Sequence, residues 1–347
     1  MLFLDECDTK IIKILLKGEC IMKKRLIIAI FCAIFLTSIT SLAFAAEQPW
    51  NLRIAYASVG GVWQPMAEGI SQLARKYGPQ YSNITTVPGG DEGNCLRVDN
   101  GELDFAFTYL ITGRDAYAGG QGFDKKYENF RAVSNIHPAI TQFFILKDTD
   151  ITSIDQIAEK QFPLSIGINR TGSMMDKVHT FLLNTYGLDE EKVNNWKGKF
   201  HRISMTPTWD LMSNKEANAI VNTMPFPDSS VVEFSMTHDL NMLPIKEEIV
   251  DKMIEKFGGD KETIPAGTYS FLKEDIIAFR TWGILIVNKN VDEEIVYKLT
   301  KAIAENIDYL GSVHKQMGII TPLTMGIIQG IPLHPGAEKY YKEIGAF

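Results

Sequence analysis

Two short glycine-containing turns carry the residues best suited to bind a solute. The first, Gly60-Gly61-Val62-Trp63, follows an apolar run, and the nearby Pro65 favours the start of a helix. The second, Asn169-Arg170-Thr171-Gly172-Ser173-Met174, also stands between an apolar run and a helical pattern. Backbone N–H groups at the start of a helix attract anions, so both turns predict a site for a small anionic solute.

Several side chains could complete such a site. Arg170 could clamp a carboxylate with two hydrogen bonds, although a loop arginine in water is the alternative interpretation. Trp63 directly follows the first turn, where we expect its side chain to point toward the mouth of a cleft and contact the solute. Four further aromatic residues could form apolar walls, although each alone is more typical of core packing: Tyr109, Trp209, Phe226 and Tyr269.

Sequence patterns for catalysis and metal binding are missing. Ser173 is followed by Met174 and Met175, so it does not form a Gly-x-Ser-x-Gly turn, and there is no His-Glu-x-x-His helix. The six histidines have no close metal-ligand spacing. Cys95 with a distant histidine could form a thiol enzyme, but a lone cysteine is more typical of packing. We therefore expect a binding protein without a metal or a cofactor, and not an enzyme.

The first 45 residues have the pattern of an export signal. Met22-Lys23-Lys24-Arg25 is basic, residues 26–36 are almost entirely apolar, and Ala43-Phe44-Ala45 is typical of a cleavage site. We expect residues 22–45 to be a signal peptide, cleaved after Ala45, and the mature protein to be periplasmic and not anchored. Acidic side chains in residues 1–21 favour Met22 as the true start of translation.

Composition limits the mature chain to certain classes of protein. The first 45 residues hold six basic and four acidic side chains, so their removal changes the formal charge from −7 to −9. This sign argues against nucleic-acid binding. Three of the four cysteines also lie there, which leaves Cys95 alone and excludes an intrachain disulfide. The remaining length is sufficient for two lobes.

Short apolar runs alternate with amphipathic segments, which predicts an α/β fold with mixed, mainly parallel sheets and helices on both faces. The predicted strands are 52–57, 104–108, 141–146, 164–168, 219–222 and 284–287. The predicted helices include one that opens at Pro65 and two at 174–186 and 292–310.

The two halves of the chain repeat one order of elements: a glycine turn, a helix, then a turn into a buried strand. The spacing from Gly60 to Asp104 is close to that from Gly172 to Asn218. Two similar lobes would bring two helix N-termini to one cleft, although a chance similarity is the alternative. The predicted boundaries are 46–138 for lobe 1, 139–288 for lobe 2, and 289–347 for the return to lobe 1.

Six motifs in order resemble those of solute receptors of tripartite ATP-independent periplasmic (TRAP) transporters, in the branch called TAXI. They are Ser58 to Pro65, Pro88-Gly89-Gly90, 101–107, Gly172-Ser173, 264–269 and 332–337. The resemblance covers essentially the whole mature chain. It implies a monomeric, two-lobed, type II-like solute-binding protein with its ligand cleft between the lobes. Such a receptor binds glutamate, a related amino acid or a dicarboxylate and delivers it to a permease driven by an ion gradient.

The resemblance also implies which residues contact the ligand. They are Gly60, Gly61, Val62, Trp63, Gly89, Gly90, Asp91, Thr108, Tyr109, Arg170, Thr171, Gly172, Ser173 and Met174. Tyr109 departs from the small polar residue usual in the family, and Met174 and Met175 replace a glycine and a small hydroxyl residue. A periplasmic sensory protein or a secreted hydrolase are the alternatives to a transport receptor.

Overall fold

The computed structural model describes residues 47–347 except positions 58, 60 and 121. The predicted signal peptide and its cleavage site lie outside the described residues, as does Gly60. Within Pro49–Phe347, which form one unit, ten strands join in a single sheet that helices cover.

The elements have the following bounds. The strands are β1 (Asn51–Ala55), β2 (Asn83–Val87), β3 (Phe105–Tyr109), β4 (Phe130–Leu146), β5 (Ser165–Gly167), β6 (Lys199–His201), β7 (Ala219–Met224), β8 (Leu240–Leu243), β9 (Asp260–Ile264) and β10 (Ile276–Asn288). The α-helices are α1 (Trp63–Tyr77), α2 (Asp91–Asp99), α3 (Leu110–Ala118), α4 (Asp155–Glu159), α5 (Met174–Thr185), α6 (Glu190–Asn195), α7 (Met205–Ser213), α8 (Ser229–Ser235), α9 (Glu247–Phe257), α10 (Glu293–Glu305), α11 (Ile307–Val313), α12 (Pro322–Met325) and α13 (Pro335–Glu343). Two 3-10 helices are Lys147–Thr149 and Lys315–Gly318.

The sheet combines parallel and antiparallel strands in a regular way. The strand order is β2-β1-β3-β10-β4-β7-β5-β6, with β8 also paired to β4 and β9 to β10. The outer strands of each half are parallel: β1 pairs with β2 and β3, and β5 with β6 and β7. Every pair that includes β4 or β10 is antiparallel. The predicted mixed α/β fold is confirmed. The expected sheets were mainly parallel, whereas the structure has one sheet whose long central strands, β4 and β10, pair only antiparallel.

The two long strands, β4 and β10, connect the halves of the molecule. The first part of β4 pairs with β10, and its last part, from Ile140, pairs with β7. The predicted strands 141–146 and 284–287 correspond only to the C-terminal parts of β4 and β10. Polar residues such as Ser134, Asn135 and His137 interrupt the apolar pattern, yet all three are buried because the strand is covered on both faces.

Helix boundaries agree with the sequence prediction except near the C-terminus. The helix predicted at 174–186 is α5, which ends at Thr185. The single helix predicted at 292–310 is instead two helices, because Asn306, with φ −127° and ψ 35°, leaves the helical conformation between α10 and α11. The apolar stripe continues across this break, with Ile303 and Leu310 both buried.

Three hydrophobic clusters divide the core. The first contains buried residues between 50–136 and 282–341, whereas the second and third draw almost entirely on 140–279. We propose that this division corresponds to the two lobes. Because Trp282 and Val287 pack in the first cluster, we place the return to lobe 1 within β10 and not after residue 288.

Candidate functional site

The candidate site lies where the carboxyl ends of the parallel strands in the two halves face each other. Tyr109, the last residue of β3, pairs with Gly283, which also pairs with His137 of β4. Met224, the last residue of β7, pairs with Ile140 of the same strand. Positions 137 and 140 are about 10 Å apart along a strand. In open α/β sheets ligands bind at the carboxyl ends of the strands, so this gap is the expected binding cleft.

In the first turn, the tryptophan side chain packs inward. Trp63 begins α1 and is only 3% exposed. Its ring lies 4.8 Å from the Tyr109 ring, centroid to centroid, and its indole N–H donates to His137 Nε2 over 2.7 Å. The expected orientation toward an open cleft mouth is therefore not found, because the indole fills the space between α1 and β4. Gly61 is partly exposed and Val62 is half exposed.

The residue that receives this hydrogen bond, His137, was not identified from the sequence. Its Nδ1 lies 3.0 Å from the Pro138 carbonyl, so Nδ1 carries the proton and Nε2 accepts from Trp63. Burial lowers the pKa of His137 to about 4. A Cβ added at Gly283 would lie 2.2 Å from His137 Nε2, so only glycine fits opposite this ring. Since His137 stands near the polar residues Ser134 and Asn135, nothing in the sequence pattern set it apart.

The predicted contact at Gly89-Gly90-Asp91 lies at the start of α2. Gly89 is exposed, and the Gly90 N–H donates to Asn94 Oδ1 over 3.2 Å. The Asn94 amide group donates to the carbonyls of Tyr56 and Phe107, at 3.0 and 2.7 Å. This side chain, fully buried, fixes α2 against the ends of β1 and β3 and was not singled out from the sequence.

Asp91 uses its carboxylate within the protein. It accepts hydrogen bonds from the Thr108 hydroxyl at 2.8 Å, the Tyr109 N–H at 2.9 Å and the Thr112 hydroxyl at 2.6 Å. Burial raises the pKa of Asp91, an effect that these hydrogen bonds oppose. Since Tyr109 caps the start of α3, Asp91 occupies the anion position of that helix. The hydrogen bond between Thr108 and Asp91 therefore fixes both side chains within the protein.

The second turn is filled in the same way by a carboxylate of the chain. Gly172 has φ +79°, a conformation that favours glycine, and its N–H donates to Asp176 Oδ2 over 2.9 Å. The Ser173 hydroxyl accepts from the Asp176 N–H at 3.2 Å and so caps the start of α5. Arg202 bonds both Asp176 and Glu190, the latter over 2.7 Å. An internal acid thus already binds this helix N-terminus.

The other residues of the second turn differ in exposure. Arg170 and Thr171 are exposed, and the Arg170 guanidinium makes no ion pair within the described residues. Met174 is buried in the second cluster. The Ile168 carbonyl, just before the turn, accepts from His179 Nδ1 over 3.1 Å, and His179 Nε2 accepts from the Thr223 hydroxyl over 3.0 Å. Burial lowers the pKa of His179 to about 4.

Phe226, the last predicted contact, follows the end of β7 and is partly buried at the edge of the third cluster. Its carbonyl accepts from the Gln316 side chain over 3.2 Å, which links the C-terminal part of the chain to the end of β7. The Gln142 side chain donates to the Pro225 carbonyl over 3.2 Å, so this loop is fixed from two sides. Trp209 and Tyr269 are core residues of the same cluster.

Two polar contacts connect the halves beside the cleft. Lys177 of α5 forms an ion pair with Glu92 of α2 at 3.3 Å. The Arg114 guanidinium of α3 donates to the Phe257 carbonyl at the end of α9 over 2.6 Å. Ile111, also from α3, packs in the second cluster. The structure therefore holds its two halves in contact.

Neither a reactive thiol nor a metal group is found among the described residues. Cys95 is fully buried, and burial raises the pKa of its thiol, which keeps it protonated at neutral pH. Across the described part of the chain, no three His, Cys, Asp or Glu residues form a group that could hold a metal ion. A search of the same residues finds no helix with the length and apolar character needed to cross a membrane.

The fold is similar to those of several solved structures. It is similar to a TctC solute-binding protein from Polaromonas (TM-score 0.52, 15% identity, 87% of this chain and 100% of that chain). It is also similar to MatC from Rhodopseudomonas palustris with bound malate (TM-score 0.52, 15% identity, 86% of this chain and 98% of that chain). A third similar structure is PhnD1 from Prochlorococcus marinus with methylphosphonate (TM-score 0.51, 13% identity, 86% of this chain and 100% of that chain).

The amino-acid sequence also matches a known family. Residues 54–345 match the NMT1-like family, and the chain belongs to that family. The matched residues include both glycine turns and both long strands.

Proposed function

We propose that the protein is a periplasmic receptor that captures a small acidic solute by closing its two lobes. One observation supports this proposal most: the carboxyl ends of β3 and β7 face each other, separated by residues 137–140 of β4. A solute between them would touch both halves only when they are closed, and it would therefore stabilise the closed state. Malate and methylphosphonate, bound to two structurally similar proteins, are both small anions.

Asp176 and Asp91 already occupy two helix N-termini, so we assign anion binding to exposed or partly exposed residues of the two turns: Gly61 and Val62 in the first, and Arg170 and Thr171 in the second. Gly60, which lies outside the described residues, is included on the sequence pattern alone. We assign a direct contact to the partly buried Tyr109 ring as well. The remaining predicted residues would act by shaping the cleft: Trp63, Gly89, Gly90, Asp91, Thr108, Gly172, Ser173, Met174 and Phe226.

The cellular role follows from the motifs that resemble the TAXI branch. We propose export with cleavage after Ala45, a monomeric receptor, and delivery of glutamate, a related amino acid or a dicarboxylate to a TRAP permease. The acidic mature chain and the absence of catalytic sequence patterns support this role.

Thermal unfolding with a panel of solutes tests the proposal. Glutamate, succinate, malate, methylphosphonate and neutral sugars are each added to the mature protein. An acidic solute at 100 times its Kd should stabilise the protein by about 2.7 kcal/mol, a rise in Tm of roughly 5 °C. Arg170→Ala should weaken binding of the acid far more than Lys252→Ala, a matched change on the exposed face of α9. Stabilisation by neutral sugars alone would contradict the proposal.

A further inference from the structure

A cavity of about 620 Å³ lies beside the second glycine turn. Its lining comes from the turn, through Thr171, from α5, through Lys177, and from the end of α9, through Lys256 and Phe257. Arg202, which follows β6, completes the polar wall. A volume of this size suits a small organic solute. Because Thr171 belongs both to the turn and to the cavity, a solute at the turn can extend into it.

The charges on the cavity lining are predominantly positive. Three cationic side chains converge there from separate elements, and the single carboxylate among the lining residues, Asp176, is paired with Arg202. Lys177 pairs with Glu92 of the first half. Lys256 makes no ion pair or hydrogen bond within the described residues. Lys256 is therefore the cation of the lining that is left for an anionic group of a solute.

Acids of the first half face the same lysines. Glu92 forms an ion pair with Lys177. Asp115 of α3 lies near both Lys177 and Lys256. Burial raises the pKa of Asp115, and the charges of these two lysines partly oppose that effect. These two carboxylates belong to α2 and α3, whereas the lysines belong to α5 and α9. An anionic group in the cavity would compete with Glu92 and Asp115 for the lysines.

The cavity also has an apolar wall. Phe181 and Phe257 meet edge to face, with ring centroids 5.3 Å apart. The Thr171 side chain makes no hydrogen bond within the described part of the chain. A few polar groups on a largely fixed apolar wall are typical of small-molecule sites, where the polar groups determine orientation and selectivity.

We propose that this cavity is a subsite for a second anionic group of the solute, and that Lys256 and Lys177 select solutes with two anionic groups over solutes with one. The inference rests on the proposed function. The turn, with Arg170, binds the first anionic group, and the carbon chain passes Thr171 toward Lys256. Selectivity arises because only the second anionic group gains charge-assisted hydrogen bonds in the cavity.

Matched pairs of solutes test the subsite. Succinate is compared with butyrate, and glutamate with glutamine, by calorimetric titration of the mature protein. The diacid should bind at least about tenfold more tightly than its partner, as expected for a charge-assisted contact. Lys256→Ala should remove most of this preference by weakening the diacid alone, whereas Lys252→Ala, one helical turn away, should preserve it.

A second variant guards against an indirect effect. Lys177→Gln should also reduce the preference for the diacid, while Glu92→Gln, which breaks the same ion pair from the other side, should preserve or increase it. If the diacids bind but both lysine variants keep the full preference, the subsite is refuted and the receptor function stands. If no acid of either pair binds, the proposed function fails and the subsite with it.

Discussion

Replacing Trp63 by alanine should lower the free energy of unfolding by about 3–5 kcal/mol, the usual cost of removing a buried tryptophan. The side chain is 3% exposed and packs against Phe107 and Tyr109. Its removal also leaves His137 Nε2 buried without a donor, which adds to the cost of the cavity. Urea unfolding of the mature protein, followed by circular dichroism, measures the effect.

Trp63→Phe separates packing from hydrogen bonding. It retains most of the apolar contact and should cost only about 1–3 kcal/mol, the penalty for an unsatisfied buried acceptor. Tyr109→Phe serves as a control, since it removes a polar atom from the same aromatic group without disturbing the bond to His137. If Trp63→Ala left stability unchanged and abolished solute binding, the tryptophan would be a direct contact and its supporting role would be wrong.

Acid should destabilise the protein strongly between pH 6.5 and pH 4. Burial lowers the pKa of both His137 and His179 from an ordinary 6.5 to about 4. Protonation therefore favours the unfolded chain: this stability is fully present above pH 6.5 and is lost as the pH falls through 4. Each histidine contributes on the order of 3 kcal/mol, from about 1.4 kcal/mol per pKa unit. Urea unfolding measures the free energy of unfolding at pH 7.5, where both histidines are neutral in the folded and unfolded states, and at pH 4.5, where the unfolded chain is protonated at both.

A single substitution tests the origin of this pH dependence. His179→Gln removes one buried imidazole and should make stability less dependent on pH, whereas His238→Gln, outside the cleft, should leave the wild-type dependence. Asp91 acts with the opposite sign, because its raised pKa gives stability at low pH that is lost as the pH rises through it. A wild-type pH profile in His179→Gln would show that His179 is not the source.

Local signals in the sequence were sufficient for much of the fold. Pro65 after a glycine turn predicted the helix that is α1, and apolar runs found β3, β7 and the ends of β4 and β10. These elements depend on neighbouring residues alone. The full length of β4 could not be predicted, because His137 and Asn135 are buried only through contacts with residues far along the chain: Trp63 and Thr324.

The position of the site stays a prediction from the sequence. The repeated order of elements predicts two turns at facing strand ends, and the structure describes both turns after strands, one following β1 and one following β5. The sequence did not indicate that Asp176 would fill the second turn, although Ser173 three residues before it is a capping pattern. Nor could it place Trp63 against His137, since that contact joins residues 74 positions apart.

Closure of the two lobes on an acidic solute is tested most directly by small-angle X-ray scattering of the mature protein, with and without the acid that stabilises it most. The radius of gyration should decrease when the solute saturates the protein, because a solute that contacts both sets of strand ends stabilises the closed state over more open ones. A neutral sugar at the same concentration should leave it unchanged. Tight binding of the acid with no change in the radius of gyration would contradict capture by lobe closure.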